Sequence, residues 1–158
     1  GKPYVANPET QLRFNLPHSD ALAGVAISHG LAVGIDIERI KPLDGTGLEE
    51  ALSRREQDAL AALGGEERRD AFYRCWTRKE ALLKAHGRGL GVPLDSFDVP
   101  VDKTPDAIVR FGVTLAEARD WRIVSFVPAP GYAGAVAFAA ETMGASARLA
   151  WATWPRRG

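Results

Sequence analysis

The sequence predicts a single α+β domain, and three observations carry that reading. Short apolar-alternating segments stand at both ends of the chain, about forty residues with helical periodicity lie between them, and no internal repeat or low-complexity tract divides the 158 residues. A chain of this length buries a core without disulfides or a structural metal. The first β segment is Leu12 to Leu16, which alternates apolar and polar residues before the turn formers Pro17-His18-Ser19-Asp20. Ala23 to Ser28 and Ala32 to Ile37 are apolar runs separated by His29-Gly30, a spacing that predicts a β-hairpin. Lys41 to Gly47 breaks the pattern, and helical periodicity then runs from Leu48 to Leu63, stopping at Gly64-Gly65.

A second helix is expected from about Glu66 to His86, closed by Gly87, Gly89 and Gly91 with Pro93 beyond. The remainder reads as strands at Phe97 to Val101, Ala107 to Val113, Trp121 to Val127 and Ala133 to Ala140. The tail from Ala145 to Gly158 carries two tryptophans that suggest packing.

Composition narrows the function classes. Twenty basic and twenty acidic residues cancel, so no overall field draws the chain to nucleic acid or an anionic membrane, and phosphate must be caught by local clusters. The apolar runs are far shorter than the roughly 18 residues a spanning helix needs. The opening Gly1-Lys2-Pro3-Tyr4 does not read as a signal peptide, and without an initiator methionine the chain reads as a piece of something longer. The lone Cys75 cannot form an internal bridge, which fits a reducing cytoplasm.

Two constellations carry chemistry. In Val33-Gly34-Ile35-Asp36-Ile37-Glu38 the strand period of two puts the three apolar residues on one face and Gly34, Asp36 and Glu38 on the other. The carboxylates' Cβ atoms would then be roughly 7 Å apart, close enough to share one hard cation. The ordinary alternative is the wet face of a half-buried strand. Gly34 argues against it, because a glycine within a strand loses packing and gains only close approach of a ligand or another backbone.

The second constellation is Phe72-Tyr73-Arg74-Cys75-Trp76-Thr77-Arg78-Lys79-Glu80-Ala81-Leu82-Leu83-Lys84-Ala85-His86-Gly87. Glu80 and Lys84 share a helix edge at i,i+4, where a surface ion pair is the plain alternative. Lys79 points almost into the apolar stripe of Phe72, Trp76 and Leu83, so its ammonium must snorkel or find an anion, either phosphate or carboxylate. Three carboxylates, two lysines and a glycine-rich loop suit a magnesium-bound pyrophosphate, with lysines neutralising the leaving phosphate. The residues alone lead to a magnesium-dependent transferase or hydrolase acting on a phosphoanhydride.

The ordered series Gly1-Lys2-Pro3, Phe14-Asn15-Leu16-Pro17-His18-Ser19, Gly34-Ile35-Asp36-Ile37-Glu38 and Trp76-Thr77-Arg78-Lys79-Glu80-Ala81-Leu82-Leu83-Lys84-Ala85-His86-Gly87-Arg88-Gly89-Leu90 closely resembles the 4'-phosphopantetheinyl transferases. It is similar to the surfactin-synthetase-activating type rather than the short holo-acyl-carrier-protein synthase type. The resemblance runs from Gly1 to about Val99. It implies an α+β half-fold of mostly antiparallel sheet packed against two helices: residues 1–158 would be the C-terminal half with the end of the N-terminal half, Gly1–Ser28, and most of that first half would be missing.

The resemblance also implies transfer of 4'-phosphopantetheine from coenzyme A to a serine of an acyl or peptidyl carrier protein in fatty-acid, polyketide or nonribosomal-peptide biosynthesis, releasing 3',5'-ADP. Asp36, Glu38 and Glu80 match the ligands of Mg²⁺, and Glu80 also matches the proposed general base. Lys84 matches a lysine on the α-phosphate that assists the leaving group, and Lys79 a second lysine beside the phosphates. Gly1, Lys2 and Pro3 match a segment along the adenine, and His18 a histidine at the 3'-phosphate. Pro17 stands where a serine is common in the family. The competing reading is a non-catalytic fragment that binds coenzyme A or a carrier protein; a purely structural β-domain explains neither Lys79 nor the ordered motifs. Self-association through surface left by the missing half is a further expectation.

Overall fold

The computed structural model describes residues 10–43, 47–87, 91–114, 116–140 and 150, and they form the expected α+β arrangement. Strands β1 (Leu12–Asn15), β2 (His18–Ser19), β3 (Leu22–Ala23), β4 (Ala26–His29) and β5 (Val33–Arg39) precede helices α1 (Arg54–Ala61) and α2 (Gly65–His86). Strands β6 (Asp106–Phe111), β7 (Arg119–Phe126) and β8 (Tyr132–Ala139) follow. The central sheet has the order β5-β8-β7-β6 and is antiparallel throughout.

Small residues decide where the long helix lies. Gly34 pairs with Ala137 and Asp36 with Ala135, so one face of β5 and β8 is nearly flat and α2 settles on it. Trp121, Ile123, Ala135 and Ala137 from the sheet meet Phe72, Ala81, Leu82 and Ala85 from the helix in the main core. The Trp121 indole is fully buried and donates to the Phe111 carbonyl at 3.1 Å, which satisfies its one polar atom. Val33, Ile35 and Val136 form a smaller cluster of their own, with Ala26, Val124 and Phe126 packed against it.

Three expectations change. The hairpin joining Ala23–Ser28 to Ala32–Ile37 does not form: β4 turns back onto β1, with Asn15 opposite Ala26, whereas β5 enters the central sheet beside β8. Buried over its first five residues, β5 needs a partner inside the core rather than a solvated neighbour. The helix expected over Leu48 to Leu63 is broken, with a 3-10 turn at Leu48–Ala51 and α1 restarting after Ser53, whose hydroxyl and Glu56 form a reciprocal cap.

The third change concerns Phe97 to Val101, which joins no strand ladder. The Val99 amide donates to Glu56 Oε1 at 2.8 Å, and the Pro100 carbonyl accepts from Arg78, so charged side chains replace the ladder. Among the described residues no helix is long and apolar enough to cross a membrane, and Cys75 is buried. The tail expected to pack through its tryptophans lies outside the described residues, apart from Ala150.

Candidate functional site

Asp36 and Glu38 reach one face of β5 by simple alternation, and that face turns toward α2 rather than toward water. A Cβ on Gly34 would collide with the Ala81 carbonyl oxygen and the Ala85 amide nitrogen. The glycine therefore admits another backbone, one of the two partners its place in a strand predicts. The close approach brings the last turns of α2 to the acidic strand. Lys84 Nζ lies 2.5 Å from Asp36 Oδ1, linking residues 48 positions apart.

Asp36 is only 4% exposed, and its Oδ2 is buried with no hydrogen-bond partner among the described residues. Burial pushes its carboxyl from an ordinary 3.8 up to about 7; the Lys84 ammonium offsets part of that rise, and the charges of Glu38 and Glu80 add to it. Burial likewise raises Glu80, half-buried one turn before Lys84, with Lys84 acting against the shift and Glu38 for it. The three carboxylates and Lys84 are thus one electrostatic group.

The loop before the strand holds this group in place. Asn15 Oδ1 accepts from the Ile35 amide at 2.9 Å, tying β1 to β5. The Ser19 hydroxyl donates to Glu38 Oε2 at 2.7 Å and accepts from the Arg39 amide at 3.0 Å. His18 is exposed beside Ser19, and Pro17 is buried, its carbonyl accepting from the Gly24 amide. Asn15 and Ser19 stand within a motif of the sequence, but their work is not legible there because their partners lie about twenty residues away. Gly1, Lys2 and Pro3 lie outside the described residues.

Lys79 requires a correction. It is fully buried, its ammonium 2.8 Å from Glu56 Oε2, 2.6 Å from the Leu94 carbonyl and bonded also to the Phe97 carbonyl. Three acceptors saturate an ammonium, which leaves it no donor for a phosphate. The anion it finds is a carboxylate, and its work is structural. Arg78 is its neighbour in kind, giving its guanidinium to Ser125 Oγ and to the carbonyls of Pro100, Asp102 and Thr104. Neither role is legible in the local sequence around Arg78 or Glu56, although the Ser53-x-x-Glu56 spacing of a helix cap is a signal for the latter.

Among the described residues no three His, Cys, Asp or Glu side chains are gathered as a ready metal cage. Mg²⁺ does not require one, since it usually takes one or two carboxylates and fills its octahedron with water and substrate phosphate oxygens. A buried carboxylate with one uncommitted oxygen, beside two further carboxylates, has the donor chemistry of such an open shell.

Asp36 also sets a pH dependence. Its folded-state pKa of about 7 lies above the ordinary 3.8, so its contribution to stability is fully present below 3.8 and is lost as the pH rises through about 7. Melting curves in chelator from about pH 4 to about pH 8 should therefore show Asp36→Asn gaining on the parent as the pH rises. A difference that stays constant across that range would contradict the assignment.

Comparison with known proteins agrees with these motifs. Residues 32–137 match the family model described as the 4'-phosphopantetheinyl transferase superfamily. The chain is similar to 4'-phosphopantetheinyl transferase HetI of Nostoc sp. (strain PCC 7120 / SAG 25.82 / UTEX 2576), at 34% identity over 145 residues, covering 88% of this chain and 57% of that protein. It is 34% identical to 4'-phosphopantetheinyl transferase gsp of Aneurinibacillus migulanus over 110 residues, covering 70% of this chain and 45% of that one. The similarity to 4'-phosphopantetheinyl transferase Sfp of Bacillus subtilis (strain 168) is 37% over 100 residues, 63% of this chain and 43% of that protein. The chain thus spans about half the length of these relatives.

Proposed function

Because the chain belongs to the 4'-phosphopantetheinyl transferase superfamily, we propose that it carries out, or contributes one wall of the site for, transfer of 4'-phosphopantetheine from coenzyme A to a serine of an acyl or peptidyl carrier protein. In this reading the chain is the C-terminal half of such an enzyme with the end of the first half, Gly1–Ser28, attached. The observation that carries it is the buried Asp36 carboxylate, one oxygen on Lys84 and the other uncommitted, with Glu80 beside it.

Asp36, Glu38 and Glu80 would hold Mg²⁺, which when bound polarises the pyrophosphate and screens its charge. Glu80, made more basic by burial, takes the proton of the carrier serine hydroxyl. The serine oxygen bonds to the β-phosphorus of coenzyme A as the bond from that phosphorus to the bridging oxygen breaks. Lys84 neutralises the charge arriving on the α-phosphate as 3',5'-ADP departs. Ser19 and Asn15 act through Glu38 and the β5 backbone as positioning residues. Exposed His18 is available to the 3'-phosphate, and Gly1, Lys2 and Pro3 are assigned to the adenine side.

A second reading, a fragment that binds coenzyme A or carrier protein without turnover, is favoured by the chain's spanning about half of its relatives. Incubation with coenzyme A, Mg²⁺ and an apo carrier protein, read by intact mass, separates the two. Added phosphopantetheine mass on the carrier, lost by about a hundredfold or more in Glu80→Gln and Asp36→Asn, is the result expected of the enzyme. Coenzyme binding with an unmodified carrier supports the fragment, and neither binding nor modification counts against both.

A further inference from the structure

The Asp36–Lys84 contact has a consequence for the order in which ligands bind. Asp36 Oδ1 is committed to the Lys84 ammonium at 2.5 Å, and Oδ2 stays buried without a hydrogen-bond partner among the described residues. A cation arriving at Oδ2 therefore meets a carboxylate whose charge is already balanced, with a positive group on the far side of the same carboxyl. Like charges so placed repel strongly in a partly buried site. Lys84 is nonetheless able to move. Its side chain is 32% exposed, it sits in the last turn of α2, and Glu80 one turn earlier faces the same group.

We propose that Lys84 makes cation binding at Asp36 conditional on a ligand bearing a diphosphate. In the free protein the ammonium acts as the counter-ion of Asp36. An incoming diphosphate offers it more acceptor oxygens and twice the total negative charge of a carboxylate, and the carboxylate then becomes available to the cation. Cation and diphosphate thereby strengthen each other's binding beyond their direct contact, and by linkage the effect is the same in both directions. The device keeps a buried carboxylate from standing unpaired, and it favours assembly of the site only with a phosphate-bearing ligand in place. It rests on the reading of Asp36 as a cation ligand, and the test separates the two.

Binding of Mn²⁺ to the chain is measured by electron paramagnetic resonance, alone and in saturating coenzyme A. Lys84→Met is expected to bind Mn²⁺ alone roughly tenfold more tightly than the parent, and the enhancement by coenzyme A should shrink by a similar factor. Lys84→Arg, which keeps the charge, should retain the weak binding of Mn²⁺ alone. If Lys84→Met proves unstable, Lys84→Gln serves the same comparison. Equal or weaker Mn²⁺ binding in the uncharged variant overturns the coupling. Asp36→Asn tests the premise: Mn²⁺ binding that survives it, or parent protein that binds no Mn²⁺ with or without coenzyme A, overturns the cation site and the coupling together. Binding that needs Asp36 but ignores the charge at position 84 overturns the coupling alone.

Discussion

Lys79→Met is expected to destabilise the fold by about 3–5 kcal/mol, a fall of roughly 10 °C in Tm for a chain of this size. The reason lies in what the substitution strands. Glu56 is 1% exposed, and its carboxylate accepts from the Ser53 and Val99 amides as well as from Lys79. Without the ammonium a buried negative charge loses its counter-ion, the Leu94 and Phe97 carbonyls each lose a donor, and the cation over the Phe97 ring is gone. Those groups pin α1 and the segment around Phe97 to α2, so the loss spreads over three parts of the chain. The double variant Lys79→Met with Glu56→Gln should recover part of the stability, because neutralising both partners leaves no buried charge. Urea unfolding of the two single variants and the double variant measures this coupling. A Lys79→Met protein that keeps its Tm but loses affinity for coenzyme A would return Lys79 to the phosphate role that its buried ion pair contradicts.

Gly34→Ala should be nearly as damaging, and it should strike the candidate site as well as the fold. The added Cβ would collide with the Ala81 carbonyl oxygen and the Ala85 amide nitrogen and come within 2.8 Å of the Lys84 carbonyl carbon. All three are backbone atoms of α2, so no rotamer change relieves the contact and the helix must back away from β5. Overpacking of this kind costs about 1–3 kcal/mol and more where backbone must move. Because Glu80 and Lys84 both ride on that helix, the shift draws the Glu80 carboxylate away from Asp36 as it opens the 2.5 Å Lys84 contact. The expected result is a Tm lowered by several degrees, together with weakened Mn²⁺ binding in saturating coenzyme A, where Lys84 no longer competes for Asp36 and the displaced Glu80 is missed, at temperatures where the variant is still folded. Gly91→Ala, where nothing stands within 4 Å of the new methyl, is the matched control and should melt like the parent. A Gly34→Ala protein indistinguishable from that control would mean that α2 does not lean on β5 as closely as the structure has it.

Features that depend on neighbours a few residues away are legible along the chain. The bounds of α2 follow from Gly64-Gly65 at its start and Gly87 after its end, and a period of two places Asp36 and Glu38 on one side of a strand. Helical spacing likewise puts Glu80 and Lys84 together, and the ordered motifs carried the family resemblance that residues 32–137 bear out. Which side of β5 is covered, which strand it joins, and what the charged groups meet follow from packing between distant segments. Val33 pairs with Phe138 across more than a hundred positions, and Lys84 meets Asp36 across 48, so no local period records either contact. Lys79 shows the difference most directly: an ammonium on an apolar stripe announces that it needs an anion, but whether that anion is a phosphate or Glu56 depends on where α1 packs. Burial of a charge is settled by the energy of its partners in space, and those partners exist only once the chain has folded.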